Sequence, residues 1–219
     1  MPGSLILVFE TSSPTATILL VGPQGVLMER AFASDRSHHA ALFGPLSEVL
    51  AGTLPEQIGL VLVGSGPGSY GGTRVGLAAA QGVALAGACP VVAVPSVIAA
   101  PSAVEGSCLV VGDARRGSYW TAMVKAGQVE REPELTDEPG FREQVESAAV
   151  VVSFEDGSKV KFPTTRVISY ELPTARLLWQ AWGKAGPDVR ASWSQEAAQP
   201  HYLRPPHITE SKRTWPVTK

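Results

Sequence analysis

The chain of 219 residues is long enough for one large domain or two small ones, and with 44% hydrophobic residues it can bury a sizeable core. Its 18 basic and 20 acidic residues leave a formal net charge of -2 with no basic run, which argues against a chain that grips nucleic acid tightly by itself. Cys89 and Cys108 sit in apolar surroundings without metal-ligand spacing, which fits a reducing, cytoplasmic setting. The N-terminus runs Met-Pro-Gly-Ser into an apolar stretch with no basic residue ahead of it, so it reads as a first strand and not as a leader.

Residues 5–9, 16–21 and 26–32 are apolar runs separated by turn residues, the pattern of a three-strand meander. In residues 38–50, Leu42, Leu46, Val49 and Leu50 fall at helical spacing, with Ser34 or Asp35 placed to cap the helix and Pro45 to kink it. Residues 58–63 read as a buried strand, followed by a glycine loop, a helix over 73–88, a strand over 91–94 and a short helix over 96–103. The uncharged stretch 76–100 exceeds the roughly 20 apolar residues of a membrane span, but Pro90 and Pro95 divide it into helix and strand, so no span is expected. Further on, strands are expected at 108–113, 118–125, 150–154 and 166–168, a helix at 174–183 and a disordered tail at 209–219. The order meander, helix, strand, helix, strand is that of the α/β ribonuclease-H-like module of actin, Hsp70 and the sugar kinases, although several α/β folds share it.

Three features carry chemistry. The loop Gly64-Ser65-Gly66-Pro67-Gly68-Ser69-Tyr70-Gly71-Gly72 precedes a helix N-terminus, whose free N–H groups favour an anion; it is equally a tight turn that packs close. It matches neither the Walker loop nor the dinucleotide fingerprint. Glu10, Thr11 and Ser12 end the first strand, where a carboxylate and hydroxyls suit metal-bound water and phosphate, or simply a polar turn bonding its own backbone. Gly76, Ala80 and Ala84 recur every fourth residue, flanked by Leu77 and Gln81; such a row admits another helix, from a partner or from the same domain. His38 and His39 are adjacent and cannot share a metal from one helix face, and His201 and His207 lie in a proline-rich stretch. No nucleophilic triad has a local signature, so neither a self-sufficient catalytic centre nor a metal site is expected.

With these motifs in view, the chain resembles the bacterial TsaB (YeaZ-type) family. The family's opening strand with Asp-Thr-Ser is similar to residues 5–12, its Gly-Pro-Gly-Ser-Phe-Thr-Gly-Val-Arg-Ile-Gly to residues 66–76, and its Ala-Gln-Gly-Leu-Ala to residues 80–84. Asp113-Ala114-Arg115 with Tyr119, Pro173 to Ala175, and Pro200 to Arg204 resemble its later motifs. Glu10 stands for the usual Asp, Tyr70-Gly71 for Phe-Thr, and residues 130–161 have no counterpart.

The resemblance implies two ribonuclease-H-like modules of the actin/Hsp70/sugar-kinase (ASKHA) type, over 1–105 and 106–208, the second small and degenerate, with a tail over 209–219. It also implies a non-catalytic scaffold for the TsaD-like transferase in threonylcarbamoyl (t6A) modification of tRNA adenosine. Leu42, Leu46, Thr73, Gly76, Leu77, Ala80, Gln81 and Ala84 are then expected in a helical bundle with TsaD or, in a homodimer, with a second copy. Glu10, Thr11, Ser12, Gly66, Gly68 and Ser69 mark a phosphate- or nucleotide-like cleft. ATP and metal act in the partner subunits, TsaD and a TsaE-like ATPase, and tRNA is met only through the complex; by their charge, and not by the resemblance, Arg115, Arg116 and Arg204 are candidates for a few phosphate contacts within such an assembly. The alternative is a nucleotide-dependent phosphotransferase or an M22-type peptidase of the same superfamily.

Overall fold

The structure is a computed structural model that describes residues 3–33 and 41–204. Strands β1 (Leu5–Glu10), β2 (Thr15–Gly22) and β3 (Gly25–Ala33) form an antiparallel meander. Strands β4 (Ile58–Gly64) and β5 (Val91–Val94) join β1 in parallel, giving the order β3-β2-β1-β4-β5. The central runs of Val, Leu and Ile are continuous instead of alternating because both faces of this sheet are covered.

One face carries α1 (Phe43–Val49) and α2 (Tyr70–Gly87), which bury Leu46, Val49, Leu77, Ala80 and Ala84 against Leu7, Phe9, Ile18 and Val63. Pro45 lies in the first turn of α1, where it needs no helical partner for the N–H it lacks, so it does not kink the helix midway. The proposed caps Ser34 and Asp35, together with His38 and His39, fall outside the described residues. Helix α2 begins at Tyr70 and not at Thr73, because Ser69 Oγ accepts the Gly72 N–H at 3.2 Å and caps it there. It ends at Ala88, whose φ of 48° closes the turn before Pro90. Among the described residues no helix is long and apolar enough to cross a membrane.

A 3-10 turn (Ser96–Ala99) and α3 (Pro101–Glu105) replace the single helix expected over 96–103, with Pro101 at the first position of the second piece. The second sheet repeats the plan of the first: β6 (Ser107–Asp113), β7 (Tyr119–Lys125) and β8 (Gln128–Thr136) are antiparallel, and β9 (Val151–Ser153) and β10 (Ser169–Tyr170) are parallel additions. The order is β10-β9-β6-β7-β8. Residues 130–161 thus contribute most of β8, α4 (Glu138–Ser147) and β9. The strand expected over 166–168 does not form; the edge is the two-residue β10, and Val167 stands 84% exposed. Helix α5 (Ala175–Lys184) lies close to the expected 174–183, and α6 (Pro187–Gln195) follows it.

Between the two sheets lies one shared core. Val8, Leu19, Leu62 and Val94 of the first sheet meet Val110, Trp120, Ala122 and Val152 of the second, with Ala175, Leu178 and Ala181 of α5 inserted among them. Thr17 Oγ1 accepts the Ala175 N–H at 2.7 Å, and Arg176 Nε donates to Glu29 Oε2 at 3.0 Å, tying α5 to the first meander. The far face of the second sheet is closed by Phe141 and Val145 of α4 on Leu109, Val111 and Val151.

Candidate functional site

The end of β1 and the glycine loop are packed backbone to backbone. Methyl groups added at Gly68, Gly72 and Gly76 would run into Ser12 O, Thr11 O and Thr11 Oγ1, which gives these glycines a steric reason. Thr11 Oγ1 donates to Gly72 O at 2.9 Å, and Ser69 N donates to Ser12 O at 2.6 Å. Gly66, at φ 86°, exchanges bonds with Ser96 in both directions: its N–H donates to Ser96 Oγ and its carbonyl accepts the Ser96 N–H, each at 3.0 Å.

Glu10 is fully buried. Its Oε1 accepts the Ser12 N–H at 2.8 Å, while Oε2 has no hydrogen-bond partner among the described residues. Burial pushes its carboxyl above the ordinary carboxylate range, against the opposing pull of the nearby Ser12 and Ser96 hydroxyls and the Ser12 and Thr11 N–H groups. Of the six residues expected in a phosphate-like cleft, Ser12, Gly68 and Ser69 line one, whereas Glu10, Thr11 and Gly66 are absent from its walls and are engaged inside the fold.

This cleft encloses about 800 Å³ between the two sheets. One wall is Ser12, Gly68, Ser69 and Thr73 at the N-terminus of α2; the facing wall is the turn between β6 and β7, carrying Arg115 and Arg116. Trp120 and Phe154 are packed edge to face, with centroids 6.5 Å apart, and supply apolar surface to the lining. The third side is a strap, residues 196–204, pinned by Gln81 Nε2 to Ala198 O and by His201 N to Ser65 O, each at 2.8 Å. Tyr202 packs on Tyr70 at 5.9 Å, and His201, Tyr202 and Arg204 reach the cleft.

Thr73, expected on a partner-facing helix, is a cleft residue. Sequence reasoning did not place Asp113 or Glu155 there; Asp113 is covered by Arg115, and Glu155 Oε2 accepts the Asp113 N–H at 2.6 Å. Burial raises the Glu155 carboxyl pKa, with the Asp113 charge adding to it and the Asp113 N–H and Arg115 opposing. Among the described residues no group of three His, Cys, Asp or Glu is placed to hold a metal.

The turn itself is strained. Arg115 and Arg116 have φ of 66° and 58°, in the left-handed region that disfavours any residue with a Cβ by about 1–2 kcal/mol. A dipeptide such as Asn-Gly would close this hairpin more easily.

The small-residue row turns inward. Gly76, Leu77, Ala80 and Ala84 are buried against the first sheet, as are Leu42 and Leu46, so these residues serve packing within the chain. Gln81 is spent on the strap. The surface that α2 leaves open is its opposite side, Ala78, Gly82 and Leu85, with Leu85 84% exposed; Phe43 of α1 is 60% exposed over the same face of the sheet.

The chain matches the family described as "TsaD: tRNA N6-adenosine threonylcarbamoyltransferase" over residues 28–199. It is 35% identical over 122 residues to an uncharacterised protein of Mycobacterium tuberculosis (strain H37Rv), covering 53% of this chain and 58% of that relative, so the match spans little more than half of the relative's length. It is 25% identical over 189 residues to the tRNA threonylcarbamoyladenosine biosynthesis protein TsaB of Escherichia coli K12, covering 83% of this chain and 74% of that protein. In three dimensions it superposes on YeaZ from Pseudomonas aeruginosa with a TM-score of 0.69 at 20% identity, over 91% of this chain and all of that one. A second Pseudomonas aeruginosa structure, described as similar to peptidase YeaZ, gives 0.68 at 22% over 92% of this chain and all of that one. By this match over most of its length, and with TsaB and YeaZ among its relatives, the chain belongs to the TsaD family as a member of the TsaB/YeaZ type.

Proposed function

We propose that the chain is a non-catalytic scaffold that binds a TsaD-like transferase in the t6A modification of tRNA adenosine. The observation that carries this reading is the outer face of α2. Beyond Arg74, which lies one turn earlier on the same side, Ala78, Gly82 and Leu85 leave a shallow, uncharged strip whose largest side chain stands in solvent although the inner face is already packed. Small residues on such a strip let a second helix approach closely, and Phe43 on α1 offers an aromatic anchor beside the same layer. In this reading the chain pairs with itself when alone and exchanges that copy for the transferase. A TsaE-like ATPase completes the assembly, ATP and metal act in the partners, and tRNA is met only in the complex. Two free cysteines, one buried and one half-buried, suit a cytoplasmic location. The alternative, a phosphotransferase or M22-type peptidase, draws less support because Glu10 and Thr11 are engaged inside the fold, away from the cleft walls.

Size-exclusion chromatography with light scattering, on the chain alone and mixed with the TsaD-like protein of the same organism, tests the reading. Leu85→Glu and Ala78→Glu each place a charge on the strip without touching the core. Each is expected to abolish pairing, a loss of at least about tenfold in affinity, while the thermal midpoint of the chain holds. A charge at Ala80 would not serve, since that residue is wholly buried. Unimpaired pairing in both variants removes this face from the assembly.

A further inference from the structure

The strap, residues 196–204, is held by few contacts. It forms neither helix nor strand, and Glu196, Ala197, Gln199, His201, Tyr202 and Arg204 are all exposed. Helix α6 before it buries no residue fully and gives it no firm base on that side. Ala198 is buried beneath α1 and α2, and Leu203 packs on the shared core. The remaining ties come from the first half: Ser65 O accepts the His201 N–H, Tyr70 packs on Tyr202, and Gln81 Nε2 donates to Ala198 O. Segments with few buried apolar contacts and solvent-exposed hydrogen bonds are the ones that open most readily.

Gln81 also belongs to the outer face of α2. It stands three residues after Ala78 and four before Leu85, hence beside both on the helix surface, and it is exposed although its amide is bonded. A helix laid on Ala78, Gly82 and Leu85 therefore covers Gln81 and shuts water away from its bond to Ala198. A hydrogen bond freed of competing water holds more firmly. Toward the N-terminus of α2, Arg74 Nη1 donates to Tyr70 Oη at 3.1 Å, and Tyr70 carries Tyr202, so the same helix grips the strap at a second point. We infer, resting on the docking reading above, that the strap is a latch set by assembly: a partner on the outer face of α2 fastens residues 196–204 through Gln81, and a fastened strap in turn favours docking. Such coupling is necessarily reciprocal. Because the strap forms one side of the cleft, the free and the assembled chain then differ in how firmly the cleft is closed.

The test is hydrogen–deuterium exchange of the full-length chain, dilute and alone or saturated with the TsaD-like protein of the same organism, read on peptides that carry the His201 N–H. Pairing is expected to slow exchange there by about tenfold. Gln81→Leu keeps the outer face of α2 uncharged, so pairing should persist while the slowing at the strap disappears. Ala198→Asp puts a carboxylate where only an apolar group fits and displaces the strap without touching the outer face; it should weaken pairing by about fivefold. If that variant does not fold, the Gln81 variant decides. Pairing that leaves strap exchange unchanged in the parent chain would overturn the latch and leave the docking face in place. Equal slowing in Gln81→Leu would mean that the partner covers the strap directly, and would overturn the latch as well. No pairing by the parent chain removes the docking reading, and the latch with it.

Discussion

At the scale of single residues, Glu10 is a fully buried carboxyl at the end of β1. A carboxyl with one oxygen unpartnered and no cation beside it is held more easily as the neutral acid, which is why burial raises its pKa. Between the ordinary value near 4.5 and the raised one, the native state therefore holds a proton that the unfolded chain has released. Native stability is fullest on the acid side of that window and declines as pH rises through it. Glu10→Gln retains an oxygen for the Ser12 N–H and places an amide near Ser96 Oγ, and it cannot ionise. It should stabilise the chain at neutral pH by about 1–3 kcal/mol, with the gain vanishing toward pH 4.5. Glu155 shifts in the same direction, so the informative quantity is the difference between variant and parent melting curves across that range. Parallel curves at all pH values would mean that Glu10 is ionised in the native fold at little cost.

Among the elements, α2 was plain in the sequence and its orientation was not. A period of four in small residues marks a close approach but does not say what approaches, and here it is the end of β1: Gly76 faces Thr11, and Ala80 and Ala84 face the sheet. Gly76→Ala should therefore destabilise by about 1–3 kcal/mol through overpacking, despite the helix propensity it gains. Gly82→Ala, on the open side with nothing within 4 Å of the added methyl, should stabilise by up to about 1 kcal/mol. Urea midpoints of the dilute chain would check the two signs; like signs would contradict the assigned faces. β1, β2 and β4 were legible because both faces of the sheet are covered there, so their apolar runs stand out, while the edge strand β3, which buries no residue fully, was marked by the turn residues that bound it. β8 was not, because it is an edge strand whose exposed side carries Glu130, Glu132 and Glu134, and Pro133 is tolerated there. Helix α4 buries only Phe141 and Val145, and its readable signal was the cap: Asp137 accepts the Gly140 N–H, with Pro139 in the first turn. Helix α6 buries nothing fully and leaves no apolar stripe to find. In the cleft, Ser12, Gly68 and Ser69 were named from the sequence, but Thr73 and the left-handed Arg115 and Arg116 needed the fold, since neither an orphan hydroxyl nor a positive φ is written in residue type.

For the whole molecule, the two sheets repeat one plan but do not own separate cores. Val8, Leu19, Leu62 and Val94 are buried only because Val110, Trp120, Val152 and α5 lie over them, and α5 is anchored back on β2 through Thr17. The strap repeats the pattern at the surface, placing Ala198 in the core beneath α1 and α2 and Leu203 against the shared one. Unfolding either half would strip a contiguous apolar layer from the other, at about 25 cal/mol for each Å² exposed, so the halves should unfold together. The placement of the tryptophans makes this measurable. All five lie from Trp120 onward, and Trp120, Trp179, Trp182 and Trp193 belong to or pack on the shared core, so their fluorescence reports that core and the second half, whereas far-ultraviolet circular dichroism reports both sheets and all the helices. Urea titrations of the monomeric chain followed by the two signals should give one coincident transition with the same midpoint and slope. A dichroism signal that persists after the tryptophans are exposed would mean that the first sheet with α1 and α2 stands alone. The shared core would then be a docked interface, and the outer face of α2 would sit on an independently stable module.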